Sequence, residues 1–225
     1  MKVQLPRVQL AHLPTTIEPL PQLSAALKGP QLWIKRDDQT GLAFGGNKTR
    51  KLEYLLADAR AHGAEMLITR GARQSNHCRQ TAAAAARAGF ECILVLSGSA
   101  PSKIEGNLLL DHLLGAEIVW TEGEDPEQVL ETTFNHAWEA GRRPYLIPYG
   151  GSNATGASAY VAAISELVEQ GMKFDRIVFA SSSGGTQAGM IVGVKALEIA
   201  TRITGISVDK PSDELQSIVV DLAHQ

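Results

Sequence analysis

Short apolar segments rich in β-branched residues alternate with longer segments of helical periodicity along most of the chain. The pattern predicts seven strands, at Leu32–Lys35, Met66–Thr69, Cys92–Leu96, Glu117–Trp120, Tyr145–Pro148, Arg176–Ala180 and Ile203–Val208. It also predicts seven helices, near Asn47–His62, Asn76–Ala88, Lys103–Leu114, Pro126–Ala140, Ala154–Glu169, Thr186–Ala200 and from Asp213 onward. Such alternation is typical of βαβ units, so the sequence predicts an α/β protein with mainly parallel sheets.

Composition narrows the function classes. The chain has 225 residues, of which 44% are hydrophobic, enough for one large core or two modest ones. A net charge of -3 provides no broad basic surface, so nucleic acid is excluded as a partner. The start of the chain lacks the apolar core of a signal peptide, and the longest apolar stretch, Thr81–Ala86, is too short to span a bilayer. We therefore expect a cytoplasmic protein without a membrane partner.

The two cysteines, Cys78 and Cys92, lie in no Cys-x-x-Cys or Cys/His ligand pattern. The sequence therefore predicts reduced, buried thiols and no metal site.

A glycine-rich segment, GLAFGGNKTRK at Gly41–Lys51, nearly matches a phosphate-binding P-loop, but Asn47 separates the glycine from Lys48. What remains is a lysine in the first turn of a predicted helix. The positive end of the helix dipole disfavours its charged form and so favours a nucleophilic amine. This segment alone leaves open the alternative that Lys48 is an ordinary solvated helix lysine.

A second polar segment, TRGARQSNHCRQ at Thr69–Gln80, places Gln74, Ser75, Asn76 and His77 at a strand-to-helix junction. Parallel sheets bind their ligands at such junctions, so the segment is a candidate site. The alternative is that Ser75 or Asn76 is only the helix N-cap.

Two further segments follow predicted strands. SSSGGTQAG at Ser181–Gly189 has hydroxyl and glycine residues before a helix, where backbone amides can bind a phosphate. PYGGSNATG at Pro148–Gly156 is a weaker candidate, which either shapes a pocket or is only a glycine-rich loop with a cap at Asn153.

Taken in order, GGNKTRKLEYLL, QSNHCRQTAA, EGNLLLDHLLGAEI, PYGGSNATGA and SSSGGTQAG resemble the D-cysteine desulfhydrase and 1-aminocyclopropane-1-carboxylate deaminase family, from Leu32 to about Val208. The resemblance implies a pyridoxal 5'-phosphate (PLP) enzyme of fold type II, the tryptophan synthase β-like fold, with two three-layer α/β/α domains. Residues 1–50 and 155–225 would form the larger cofactor domain, and residues 51–154 the smaller one. Since family members are longer, the larger domain is expected to be incomplete here, with the partner of the pyridine nitrogen beyond Gln225. A homodimer is also implied.

The resemblance assigns roles to matching residues. Lys48 would carry the cofactor as a Schiff base and move the substrate α-proton, and Asn76 would hydrogen-bond the cofactor 3′-oxygen. Ser75 would face the substrate as a catalytic or binding group, with Gln74, Asn76 and His77 beside it. The cofactor phosphate would be held by four consecutive residues, Ser183, Gly184, Gly185 and Thr186.

The substrate expectation rests on the resemblance alone. The implied reaction is β-elimination from D-cysteine, or a close analogue, to pyruvate, ammonia and hydrogen sulfide. Cyclopropane ring-opening deamination and sulfo-lysis of cysteate remain as alternatives. From the residues alone, a non-catalytic phosphate-ligand-binding module or an inactive fragment also stays open.

Overall fold

A computed structural model describes residues 3–225. The strands are β1 Ile17–Pro19, β2 Trp33–Lys35, β3 Met66–Ala72, β4 Glu91–Ser97, β5 Glu117–Trp120, β6 Pro144–Leu146, β7 Arg176–Ser181 and β8 Arg202–Ser207. The α-helices are α1 Pro21–Leu27, α2 Lys48–Ala61, α3 Asn76–Ala88, α4 Gly106–Leu113, α5 Pro126–Glu139, α6 Ala154–Glu169, α7 Gly185–Ala196 and α8 Ser212–His224. The predicted α/β class is confirmed, since each predicted strand and helix has a counterpart.

Three details differ from the sequence prediction. The proline-rich start contains β1, which pairs antiparallel with β2, and α1, which tolerates Pro21 because a proline in the first turn loses no helical hydrogen bond. Helix α4 begins at Gly106 rather than near Lys103. Helix α7 ends at Ala196 rather than Ala200, because the backbone turns left-handed at Glu198, with φ at 53°.

The central sheet has four parallel strands in the order β5-β4-β3-β6. Alternate residues of its strands face opposite layers. Leu67 and Leu94 pack in the core cluster of α2 and α3, whereas Ile68 and Ile93 pack with Leu130 of α5. Helices therefore cover both faces, as expected for parallel strands.

The second part of the fold is built on the parallel pair β7–β8, with α7 and α8 packed together beside it. Helix α6 lies between α7 and α2, and α7 packs closely against α6. A Cβ at Gly189 would lie 2.0 Å from the backbone oxygen of Ala157 in α6. On β7 and just after β8, Val178 and Val208 are 58% and 62% exposed.

A buried ion-pair network fixes the start of α2. The Arg50 side chain is 3% exposed and pairs with Asp37 and with Glu166 of α6, each at 2.8 Å. The Tyr160 hydroxyl, also on α6, donates to Asp37 Oδ2 at 3.0 Å. Removing one member would leave buried charges unpaired, so the network holds α2 in one position relative to α6.

Cys78 and Cys92 are both free and buried, as predicted. Burial raises the pKa of the Cys78 thiol to about 12. Among residues 3–225, no helix combines the length and apolarity needed to cross a bilayer.

Candidate active site

Lys48 opens α2 after a tightly folded glycine loop. The Thr40 hydroxyl donates to Gly46 O and accepts from Gly46 N, each at 2.9 Å. Gly45 has φ at 71°, and a Cβ there would lie 2.0 Å from Asp38 O, so only glycine fits. This loop fixes the direction in which the lysine leaves the backbone.

The Lys48 amine has little to stabilise its charge. Its only hydrogen bond in residues 3–225 is a long one, 3.4 Å to Asn47 Oδ1. Burial lowers the pKa of Lys48 below the ordinary value of 10.5. An amine that loses its proton more easily is a better nucleophile, as the sequence prediction required.

The turn Ser181–Thr186 joins β7 to α7 and leaves backbone amides at the start of the helix. Gly184 is left-handed, with φ at 77°, and α7 begins at Gly185. Ser183 Oγ lies 2.7 Å from Ser152 Oγ, which also accepts from Gly185 N at 3.3 Å. The helix start thus has the backbone amides and neighbouring hydroxyl groups that an anion site requires.

Lys48 and this turn face one cleft. Both line a cavity of about 820 Å³, which includes Lys48, Asn47, Ser183, Gly184, Thr186 and Tyr160. Gly150 lies between them, because a Cβ there would be 2.3 Å from Ser183 Oγ and 3.7 Å from Lys48 Cε. The structure therefore brings together two segments that are more than a hundred positions apart in the sequence.

The loop after β6, a weak candidate in the sequence, also contributes. Asn153 caps α6 by accepting from Gly156 N at 2.8 Å, as in the simpler interpretation. Gly150 and Ser152 nevertheless pack against Ser183, which lines the cleft.

Lys51 lies beside the α7 turn, and the sequence analysis did not identify it. It lies one helical turn after Lys48 and is 1% exposed, and its Nζ donates to Gly150 O and Ser152 Oγ, each at 3.1 Å. A Cβ at Gly185 would lie 3.0 Å from this nitrogen. Burial, and then the charge of Lys48, place the pKa of Lys51 well below its ordinary value. Within residues 3–225 it has no carboxylate partner, so it can serve a bound phosphate.

The segment Gln74–His77 lies beside the cleft but does not line this cavity. Gln80, one turn further along α3, ties it to the lysine loop, because Gln80 Oε1 accepts from Thr49 N at 2.8 Å. Ser75 is the N-cap of α3 and accepts from Cys78 N at 3.2 Å, and its hydroxyl also contacts the Cys78 side chain. The Gln74 side chain is engaged with the start of α4, where it accepts from Asn107 N at 2.8 Å.

His77 is 5% exposed, and its ring is held in one tautomer. The Thr69 hydroxyl donates to Ile147 O at 2.8 Å, so it must accept from His77 Nε2 at 2.9 Å. His77 Nδ1 is then a buried acceptor with no partner among the described residues. Burial and the charges of Lys48 and Lys51 lower the pKa of His77 to about 3, which keeps the ring neutral.

The site suits a ligand with an aldehyde at one end and a phosphate ester at the other. Lys48 offers an amine of lowered pKa, and the α7 turn with Lys51 offers backbone amides and a second buried amine. Comparison with protein families decides the identity: residues 8–223 match the model described as "Pyridoxal-phosphate dependent enzyme". The chain belongs to this family. It has the α/β fold of the fold type II PLP enzymes, and PLP is the family's cofactor.

Individual relatives of this PLP enzyme carry two kinds of name. A putative 1-aminocyclopropane-1-carboxylate deaminase of Pyrococcus furiosus is 43% identical over 98% of this chain and 68% of its own length. A D-cysteine desulfhydrase of Yersinia enterocolitica is 42% identical over 99% of this chain and 70% of its own length.

Solved structures agree with this assignment. A crystal structure of an ACC deaminase homologue has a TM-score of 0.92 and 40% identity, covering 98% of this chain and 68% of that one. Maize serine racemase, at 21% identity and a TM-score of 0.70 over 92% of this chain and 69% of its own, shares the fold.

Proposed function

We propose that this PLP enzyme is a lyase that converts D-cysteine, or a close analogue, to pyruvate, ammonia and hydrogen sulfide. The observation that carries the proposal is the shared cleft of Lys48 and the Ser183–Thr186 turn. Several relatives at 41 to 43% identity are named D-cysteine desulfhydrase, which supports this substrate. The relative from Pyrococcus furiosus and the ACC deaminase homologue support cyclopropane ring-opening deamination as the second candidate.

Each residue of the cleft has a proposed task. Lys48 would hold the cofactor covalently through Nζ, and the same nitrogen would take the substrate α-proton. Ser183, Gly184, Gly185 and Thr186 bind the phosphate, and Lys51 adds a charge-assisted hydrogen bond from below the turn. Asn76 donates to the cofactor 3′-oxygen. When bound, PLP supplies the electron-withdrawing ring that stabilises the carbanion left by proton removal.

The substrate contacts are proposed at the start of α3. Ser75 can exchange its hydroxyl contact with the Cys78 side chain for a substrate carboxylate, whereas the Gln74 side chain and His77 Nε2 already have the partners described above. Ser75 is therefore the strongest of the predicted substrate contacts.

The proposal also includes the cellular location, the oligomeric state and the division into domains. We infer a cytoplasmic homodimer, with residues 51–154 as the smaller domain and residues 1–50 and 155–225 in the cofactor domain. The four-stranded sheet of β3 to β6 falls within the first of these ranges.

The test is chemical trapping at Lys48. The purified protein is incubated with PLP, its visible absorption is recorded, and borohydride reduction is followed by peptide mass spectrometry. We expect a visible band that borohydride bleaches and a reduced adduct on Lys48. The Lys48→Ala variant should lose both, while Lys173→Met, which alters an exposed lysine, should keep them. A protein without an adduct would instead be a phosphate-ligand-binding module.

Substrate assays then separate the two candidates. The loaded protein is offered D-cysteine, L-cysteine and 1-aminocyclopropane-1-carboxylate, and sulfide and ammonia are measured. Sulfide from D-cysteine supports the desulfhydrase, whereas ammonia from the cyclopropane substrate alone supports the deaminase.

A further inference from the structure

Asn107, at the start of α4, makes three side-chain hydrogen bonds next to the candidate site. Its Oδ1 accepts from Arg79 Nη1 at 3.0 Å. Its Nδ2 donates to the backbone oxygen of Gln74 at 2.8 Å and to Asn76 Oδ1 at 2.9 Å. The oxygen and both amide protons of Asn107 are thus in use, and they connect three residues of α3 and the turn before it.

These partners fix the orientation of the Asn107 amide. A guanidinium group can only donate and a peptide oxygen can only accept, so rotating the amide by half a turn would break both contacts. Asn107 Nδ2 therefore donates to Asn76, and Asn76 Oδ1 accepts this hydrogen bond. As a result, Asn76 Nδ2 is a donor with no protein partner among residues 3–225.

The same guanidinium also holds the lysine loop. Arg79 is 9% exposed, and its Nη2 donates to Gly45 O at 2.8 Å, three positions before Lys48. The start of α4 is fixed as well, because a Cβ at Gly106 would lie 2.4 Å from Gln74 Oε1. One arginine thus connects the loop that carries the reactive amine to the amide that sets Asn76.

We propose that Asn107 and Arg79 are positioning residues, which orient the amide of Asn76 so that its Nδ2 donates to the cofactor 3′-oxygen. The inference rests on the proposed contact of Asn76 with the cofactor. Neither Asn107 nor Arg79 touches the cofactor, and both act through Asn76. The competing explanation is that Asn107 only stabilises the packing of α4 against α3.

The Asn107→Asp variant distinguishes these explanations. The carboxylate still accepts from Arg79 but cannot donate, so the Asn76 amide rotates to donate to it and presents its oxygen to the cofactor. We expect the dissociation constant for PLP to rise about tenfold or more, the typical effect of losing a hydrogen bond to a charged group. The midpoint of the pH titration of the visible band should move upward. Asn135→Asp, on the exposed face of α5, is the control for the added charge.

A double-mutant cycle shows whether Asn107 acts through Asn76. In an Asn76→Ala background, Asn107→Asp should change the dissociation constant by less than about twofold, since the residue it orients is gone. Asn107→Ala removes the donor without adding charge and is taken through the same cycle, so the test does not depend on one variant folding. Unfolding midpoints of the cofactor-free proteins are measured alongside.

Each outcome has a distinct meaning. Coupled effects on affinity and on the titration midpoint support the positioning role. Additive effects in the cycle overturn the positioning role, and so does equal behaviour of Asn107→Asp and Asn135→Asp. In either case an adduct on Lys48 still supports the proposed function. Absence of the adduct in the unsubstituted protein overturns both.

Discussion

The Nζ atom of Lys51 lies 3.1 Å from Ser152 Oγ, and this pair lies directly beneath the turn that begins α7. The Lys51 amine is therefore placed beside the proposed phosphate site, and a bound dianion would favour its protonated form. We predict that Lys51→Met weakens PLP binding about tenfold or more, because a charge-assisted hydrogen bond is lost.

The measurement is an absorption titration with PLP, with Lys173→Met as the control for removal of a lysine charge. Unchanged affinity in a variant that unfolds at the same temperature as the unsubstituted protein would show that Lys51 does not contact the phosphate.

Gly189 should tolerate no side chain. A Cβ there would lie 2.0 Å from the backbone oxygen of Ala157, which cannot move without shifting α6. We predict that Gly189→Ala lowers the free energy of unfolding by about 1 to 3 kcal/mol and also weakens cofactor binding, since α7 carries the phosphate turn.

Urea unfolding measures the first effect. Gly29→Ala is the matched control, because the nearest atom to its new Cβ would be 3.6 Å away. Equal stability of the two variants would contradict the close packing of α6 and α7.

His77 should remain neutral over the working pH range. Its pKa is lowered to about 3, whereas the same ring in the unfolded chain takes a proton below about 6.5. The free energy of unfolding should therefore fall as the pH decreases from 6.5 toward 3. We predict a shallower fall in His77→Gln. Ring NMR signals of His77 that titrate near neutral pH would refute the prediction.

Asp111 should destabilise the protein above neutral pH. Both of its oxygens are buried without partners among the described residues, and burial, opposed by Arg79, raises its pKa to about 7. The folded state retains the proton that the unfolded chain loses above about 3.8, so stability is lost as pH rises from 3.8 to 7.

We therefore predict that Asp111→Asn is more stable than the unsubstituted protein by about 1 to 2 kcal/mol at about pH 8, with a smaller difference at about pH 5. Denaturant unfolding at the two pH values measures it. If the variant is less stable than the unsubstituted protein at both pH values, the Asp111 carboxylate stabilises the fold through Arg79.

Local patterns were sufficient for much of the fold and part of the site. The seven strands followed from residue types within short segments, because periodicity is local. Lys48 and the Ser181–Gly189 segment were local candidates, but their roles came from the resemblance of several segments taken in order. The role of each site residue remains a prediction that the proposed experiments test.

Lys51 and Asn107 show what local patterns could not reveal. A lysine within a helix looks like a solvated one, and Lys51 is buried only because the loop after β6 and the start of α7 close over it. The hydrogen bonds of Asn107 depend on how α4 packs against α3, and no short segment of the sequence specifies that packing. The only sequence hint for Lys51 was its spacing of three from Lys48, which places both side chains on one helix face.

The buried Lys51 amine, with its lowered pKa, makes the cofactor-free protein sensitive to the anions in its buffer. A small dianion bound at the α7 turn would raise the pKa of this amine and pair with its protonated form, and inorganic phosphate is such a dianion. Melting temperatures recorded in phosphate buffer should therefore exceed those recorded in a zwitterionic buffer of equal pH and ionic strength.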